Sequence, residues 1–249
     1  MCLIVVGWQV HPAFPLVLAA NRDEFHARPT AAAGRWPEAR QVIGGRDLEA
    51  GGTWLGITDS GRLAAVTNVR EPEMAKGRRS RGMLTRDFLL GGIPALAYAA
   101  NIDGDDYAGF NLLLGDGDSL VYCSNRDAPP RQLPPGIYGL SNHRLDSPWP
   151  KLQTARDKFT DAMQRLPDET GLFELLADKS IVADENLPQT GVPLAWERLL
   201  SAVFVQSESY GTRASTLLWQ AADGAVRLHE RSFGADGQAL QSSVISTAV

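Results

Sequence analysis

Cys2-Leu3-Ile4-Val5-Val6-Gly7-Trp8, followed by Pro15-Leu16-Val17-Leu18-Ala19-Ala20, is the stretch whose reading decides the fold. Two short apolar runs flank a turn carrying Pro12 and Pro15, so residues 2–8 and 15–20 are expected to be strands. If they pair as a hairpin, the charged tetrad Asn21-Arg22-Asp23-Glu24 at the end of the second run lies near the chain start. Removal of Met1 would put a thiol and a free α-amino group on Cys2, the chemistry of an N-terminal nucleophile.

Outward from this hairpin, a Gly/Arg-rich loop is expected over 22–52, and loops of that length are usually functional. Residues 53–58 and 62–68 read as a second hairpin, turned at Asp59-Ser60-Gly61. A helix is expected over 80–90 with Ser80 as its N-cap and Gly91-Gly92 as its stop, then a short helix over 94–101. Residues 110–114 and 120–124 form a third strand pair. A Pro-rich loop, 128–136, leads to a strand at 137–141. The clearest helix covers 150–166, where Leu152, Ala155, Phe159, Ala162, Met163 and Leu166 share one face. Further helices are expected at 172–177 and 194–201, and strands at 202–206, 214–221 and 225–233. Strands at both ends with helices between them predict an antiparallel α+β sandwich. No linker divides the chain, so residues 1–249 are read as one domain.

Composition narrows the function classes. A hydrophobic content of 44% and charged content of 21% are those of a globular protein. The net charge of −5 argues against nucleic acid as a partner. No apolar run reaches the roughly 18 residues of a membrane helix. The two cysteines, Cys2 and Cys123, and the lack of an export leader point to a reducing, cytoplasmic setting. The four histidines show no metal-site spacing, so no metal centre is expected.

The candidate chemistry gathers at strand ends. A free thiol, pKa about 8.5, is only slightly ionised at neutral pH, and a nearby guanidinium from Arg22 or Arg213 would lower that value. Acyl transfer also needs oxyanion donors, for which Asn68 and Asn142 are suitable. Each element has a structural alternative. The tetrad suits a solvated turn, Asn68 and Asn142 suit turn formers, Arg213 suits a surface ion pair and Trp54 suits the core.

The sequence resembles the NRDE family, also called the transport and Golgi organisation protein 2 family. The resemblance is carried by Met1-Cys2, Asn21–Glu24 with Arg28-Pro29, Gly45-Arg46-Asp47 into Gly51–Gly56, Thr67-Asn68, Gly109–Leu113, Tyr138–Asn142 with Pro148–Lys151, and Tyr210–Arg213. It implies the four-layer αββα fold of N-terminal nucleophile hydrolases. A more distant likeness to choloylglycine and penicillin V acylases makes Cys2, Asn68, Asn142 and Arg213 counterparts of the nucleophile, two Asn and late Arg. Arg22 is the counterpart of the early Arg, with Asp23 as the carboxylate. The acylases separate that Arg and Asp by two residues, whereas Asp23 follows Arg22 directly.

The resemblance implies intracellular binding and trafficking of haem or a related amphipathic ligand, lipid or acyl-CoA, in a hydrolase-like cleft at Cys2. The alternative is a cysteine amidohydrolase or thioesterase acting on an acyl substrate. No cofactor is then required, haem being a transported ligand, and transient membrane contact would accompany its exchange. Asn21, Arg22, Asp23, Glu24, Trp54 and His143 are the expected ligand contacts. Trp8 and Trp36 are candidate aromatic walls, the basic run Lys76, Arg78, Arg79, Arg81 a candidate for anionic groups, and His26, His143 or Cys2 candidates for haem iron.

Overall fold

The computed structural model describes residues 2–72 and 77–247. Two antiparallel sheets, of six and seven strands, form its frame. The first joins β1 (Cys2–Trp8), β2 (Leu16–Phe25), β10 (Gly136–Ser141), β11 (Tyr210–Gln220), β12 (Val226–Phe233) and β13 (Ala239–Ser246) in the order β10-β1-β2-β11-β12-β13. The second runs consecutively through β3 (Thr30–Trp36), β4 (Ala39–Asp47), β5 (Leu55–Thr58), β6 (Leu63–Asn68), β7 (Phe110–Gly115), β8 (Leu120–Ser124) and β9 (Arg131–Gln132). The helices are α1 (Gly82–Leu90), α2 (Ala95–Ala100), α3 (Pro150–Met163), α4 (Thr170–Leu176) and α5 (Leu194–Leu199).

Strand periodicity sorts the apolar residues into three layers of core. Ile4, Val6 and Trp8 of β1 and Leu16, Leu18 and Ala20 of β2 point between the sheets, where they meet Ile43, Ile57 and Leu113. Leu3, Val5, Val17 and Ala19 point the other way and pack under Leu152, Phe159 and Leu172 of α3 and α4. On the second sheet, Ala64, Leu112 and Val121 are covered by Leu84 and Phe88 of α1 and by Ala95 and Ala99 of α2. Three apolar interfaces in series make four layers, helix–sheet–sheet–helix. This is the αββα arrangement expected above, and the α+β class is observed.

The β1–β2 hairpin forms as expected, with Cys2 opposite Arg22. Four expectations are corrected. The span 22–52 is mostly strand: β2 runs on to Phe25, and β3 and β4 fill the rest. The segment 202–206 is not a ladder strand; only Gln206 makes an isolated bridge, to Gly211. Strand β13 closes the sheet where none was expected. Ser80 is not the cap of α1, whose N-cap is Arg81 with no side-chain bond.

Candidate functional site

Cys2, Arg22 and Glu24 project from strand ends into the space between the sheets, because even-numbered residues of β1 and β2 face that way. Their cavity, about 140 Å³, is also walled by Asp23, Arg28, Thr53, Trp54, Asn68 and Arg81. Arg22 is only 7% exposed. Its guanidinium lies over the Trp54 ring at 4.3 Å, while Nη2 stands 3.8 Å from Glu24. Its Nη1 is buried and has no hydrogen-bond partner among the described residues. Trp54 can lie there because Gly45 has no side chain; a Cβ at Gly45 would overlap the indole.

Asp23 belongs to the opposite face of β2. Its Oδ1 accepts the Thr212 hydroxyl at 2.7 Å, and its backbone N–H donates to the Cys2 thiol. Burial raises its carboxyl pKa, opposed by the Lys151 ammonium, the Thr212 hydroxyl and the Arg22 guanidinium. Direct adjacency of Arg and Asp in an extended strand therefore sends the two charges to opposite sides of the sheet. Burial also raises the pKa of the Cys2 thiol, with Asp23 adding to the rise and Arg22 opposing it. The thiol is protonated at neutral pH, and a protonated thiol is a weak nucleophile.

The two asparagines do meet. The Cys2 backbone N–H donates to Asn142 Oδ1 at 3.4 Å, and Asn142 Nδ2 donates to Asn68 Oδ1 at 2.8 Å and to Asn68 O at 3.2 Å. Asn142 is fully buried and its amide is spent within this chain of bonds, which links β1, β6 and the end of β10. The loop carrying Asn142 is braced from below. Arg70 N–H donates to Asn142 O at 2.6 Å, and Asn111 Nδ2 donates to His143 O at 2.8 Å.

Several expected contacts lie elsewhere. Asn21 is on the helix side of β2, where Nδ2 donates to Leu176 O and Val203 O and Oδ1 accepts from Ser215. It ties α4 and the 200s loop to the sheet. Asn21→Ala is expected to lower stability by roughly 2–4 kcal/mol, since buried carbonyls lose their donors, with ligand affinity unchanged. Urea unfolding alongside a binding titration checks both parts. His143 stacks on Trp149 at 5.5 Å and bonds Ser147 through Nδ1 at 2.8 Å, outside the cavity wall. Arg213 Nη1 donates to Phe25 O, His26 O and Arg28 O, so it clamps the turn after β2 and does not line the Cys2 cavity. Trp8 and Trp36 are core, at 5% and 1% exposure. His26 bonds Ser207 O through Nε2 at 3.1 Å. Met1 and Lys76 lie outside the described residues.

Other residues enter the site without having been singled out. Arg81, read only as part of a basic run, is drawn into the wall of the Cys2 cavity, where Nη1 donates to Gly109 O at 3.0 Å. Arg78 and Arg79 turn instead to Asp106 and Asp87. Arg81, Asn68 and Glu24 also border a second cavity of about 360 Å³, whose walls include Phe25, Trp196, Tyr210, Leu200 and Pro193. Behind Asp23, the buried Lys151 donates to Leu200 O at 2.7 Å.

Two layered antiparallel sheets with a cysteine at the first strand's start define the class, an N-terminal-nucleophile-hydrolase-like fold. A solved structure of the Caenorhabditis elegans N-acylethanolamine-hydrolyzing acid amidase ortholog matches it with a TM-score of 0.56, covering 87% of this chain and 92% of that one at 14% identity. The profile of the Transport and Golgi organisation 2 family matches residues 1–235, and the chain belongs to that family. Transport and Golgi organization protein 2 homologs from Bos taurus and Homo sapiens are 39% and 37% identical, each over 93% of both chains. The Drosophila melanogaster Transport and Golgi organization protein 2 is 28% identical, over 88% of this chain and 87% of its own. No helix among the described residues is long and apolar enough to cross a membrane.

Proposed function

We propose that this protein binds and carries an anionic amphipathic ligand, haem or acyl-CoA being the chemical types, in the cytoplasm. The observation that carries the reading is Arg22, a buried guanidinium with an unpartnered Nη1 in the wall of the Cys2 cavity. A buried donor without a partner is costly, and an anionic oxygen from a ligand would satisfy it with a charge-assisted bond. Arg28 is already paired with Asp47 at 2.7 Å, whereas Arg81 has no ion pair among the described residues. Arg22 meets Glu24 through Nη2 at 3.8 Å, so its Nη1, together with the Arg81 guanidinium, is what remains for a head group. The adjoining cavity, walled by Phe25, Trp196 and Tyr210, suits the apolar body. Exchange with a membrane store, by transient contact, fits such a cargo.

Arg22→Ala is expected to weaken binding of haem and of a long-chain acyl-CoA by about 10–100-fold, the worth of one charged hydrogen bond. Titration by haem absorbance and by indole quenching measures it. Unchanged affinity for both ligands would remove Arg22, and with it this reading.

A second reading is a cysteine amidohydrolase or thioesterase. It is favoured by the Cys2 nitrogen held at Asn142 Oδ1 beside the thiol, and by the fold shared with an acid amidase. The raised thiol pKa and the committed Asn142 amide weigh against it. Intact mass tests Met1 removal, and an acyl-thioester panel on wild type and Cys2→Ala tests turnover. Cys2-dependent turnover without ligand retention would replace the carrier reading with this one.

A further inference from the structure

The six-stranded sheet carries a second polar cluster at its far edge, separated from β1 by β2 and β11. His229 of β12 lies between Glu169, which caps α4, and Ser242 of β13. Its Nδ1 is 2.6 Å from Glu169 Oε2, and its Nε2 is 2.9 Å from Ser242 Oγ. Glu169 Oε1 also accepts from Arg227 Nε at 2.9 Å. Burial acts to raise the Glu169 pKa, but the hydrogen bonds from His229 and Arg227 bring it below the usual carboxylate value. An ionised carboxylate only accepts hydrogen bonds, so Nδ1 carries the ring proton. In the neutral ring Nε2 is then a bare lone pair, and the Ser242 hydroxyl is the donor. The carboxylate fixes the tautomer, the imidazole faces the hydroxyl, and the hydroxyl is exposed.

We propose that Ser242, His229 and Glu169 form an esterase site independent of Cys2, acting on small carboxylic esters with a good leaving group. Ser242 Oγ attacks the ester carbonyl carbon as its proton passes to His229 Nε2, and the carbonyl π pair moves to oxygen. Arg231 sits directly opposite Ser242 in the strand register. Its guanidinium lies 3.6 Å over the Phe173 ring and makes no hydrogen bond or ion pair among the described residues, leaving its donors for that oxyanion. When the carbonyl re-forms, the C–O bond to the alcohol breaks and the alkoxide takes the proton from His229. Water, deprotonated by the same imidazole, then attacks the acyl-serine, releases the acid and restores the Ser242 proton. A neighbouring hollow of about 350 Å³ is bordered by Trp219, Pro167 and Ser246. Trp219 is its aromatic wall, beside the charged Asp168, Glu169 and Arg227, so an aryl ester would stack on that indole.

The test uses the full chain carrying Cys2→Ala, so that the Cys2 thiol does not contribute; the other thiol, Cys123, is buried. A fluorophosphonate probe is expected to add one adduct, mapped by peptide mass to Ser242. Hydrolysis of p-nitrophenyl acetate is expected to fall by about 100-fold or more, or to the buffer rate, in Ser242→Ala and His229→Ala, the usual worth of a nucleophile's base. Arg231→Met should lower the rate while leaving the adduct site unchanged. Absence of the Ser242 adduct overturns the proposal, as does hydrolysis in Ser242→Ala equal to that of its Cys2→Ala parent. If His229→Ala does not fold, Ser242→Ala decides the matter, because that side chain is exposed and packs against nothing in the core.

Discussion

Glu197→Leu is expected to lower folding stability by about 3–5 kcal/mol, the cost of leaving a buried charge without its partner. Arg70 and Glu197 are 5% and 4% exposed, and Arg70 Nη1 meets Glu197 Oε2 at 2.6 Å. Burial acts to depress the Arg70 pKa, and Glu197 opposes it. Arg70 Nε and Nη2 have no hydrogen-bond partner among the described residues, so Glu197 is the main compensation for that charge. The carboxylate has a second duty, as Oε1 accepts from Thr190 N–H and Oγ1 at 2.8 and 2.6 Å. Removing both charges together, in Arg70→Met with Glu197→Leu, should recover most of the loss, because no orphan charge remains. Urea unfolding of the two single variants and the double variant measures the coupling. A loss under about 1 kcal/mol in Glu197→Leu would show that the pair is solvated. The pair matters to the cleft because the Arg70 backbone holds the Asn142 carbonyl. Glu197→Leu should therefore also loosen the Cys2–Asn142 contact.

Much of the fold was legible where hydrophobic runs were continuous. Residues 2–8 and 15–20 announced their strands through uninterrupted apolar side chains, and the one-face pattern after Pro150 announced α3. The strands β3 and β4 were hidden because Thr30–Trp36 is built of Ala, Gly and Arg, residues with weak strand preference. Their pairing is imposed by neighbours: Glu230 of the other sheet accepts Ala33 N–H at 2.6 Å. In β13 the apolar residues are interrupted by Gln241, Ser242 and Ser243, so it shows no continuous apolar run. The opposite error occurred at Ala202-Val203-Phe204-Val205, an apolar run that reads as strand. Its backbone is satisfied piecemeal, by Asn21 Nδ2, Asp178 O and Thr212 Oγ1, so it needs no ladder. At the site, register put Cys2 beside Arg22, and a period of two explains why Asp23 turns away. Arg70 carried no local signal, Arg81 entered only as part of a basic run and Lys151 only as part of the family motif. Each comes from a different segment, and only the packing of α1, α3 and α5 over the sheet edges brings Arg70 and Arg81 to the cavities and Lys151 behind Asp23.

Lys151 should make stability rise with pH in a window where most proteins lose it. Its ammonium is buried at the first turn of α3, the helix end that disfavours a cation. Two neutral carbonyls, Leu200 O and Ala202 O, are its hydrogen-bond acceptors. Burial lowers its pKa from 10.5 to about 8, with Asp23 the largest opposing charge and Arg70 adding to the fall. Between those values the unfolded chain binds a proton that the folded chain has released. More protons on the unfolded state mean that stability increases with pH. Below pH 8 both states are charged and the folded state carries the full penalty, about 3 kcal/mol for a shift of this size. Other groups act in the reverse direction. Burial raises the thiols of Cys2 and Cys123, the latter to about 11, and the phenol of Tyr122 to about 12. These remain protonated in the folded chain while ionising in the unfolded one, so they lose stability at alkaline pH. The comparison that isolates Lys151 is therefore wild type minus Lys151→Met, in which the thiol and phenol contributions cancel. That difference is expected to shift in favour of wild type by about 2 kcal/mol between pH 7.5 and 10. A flat difference would place the ammonium in contact with water.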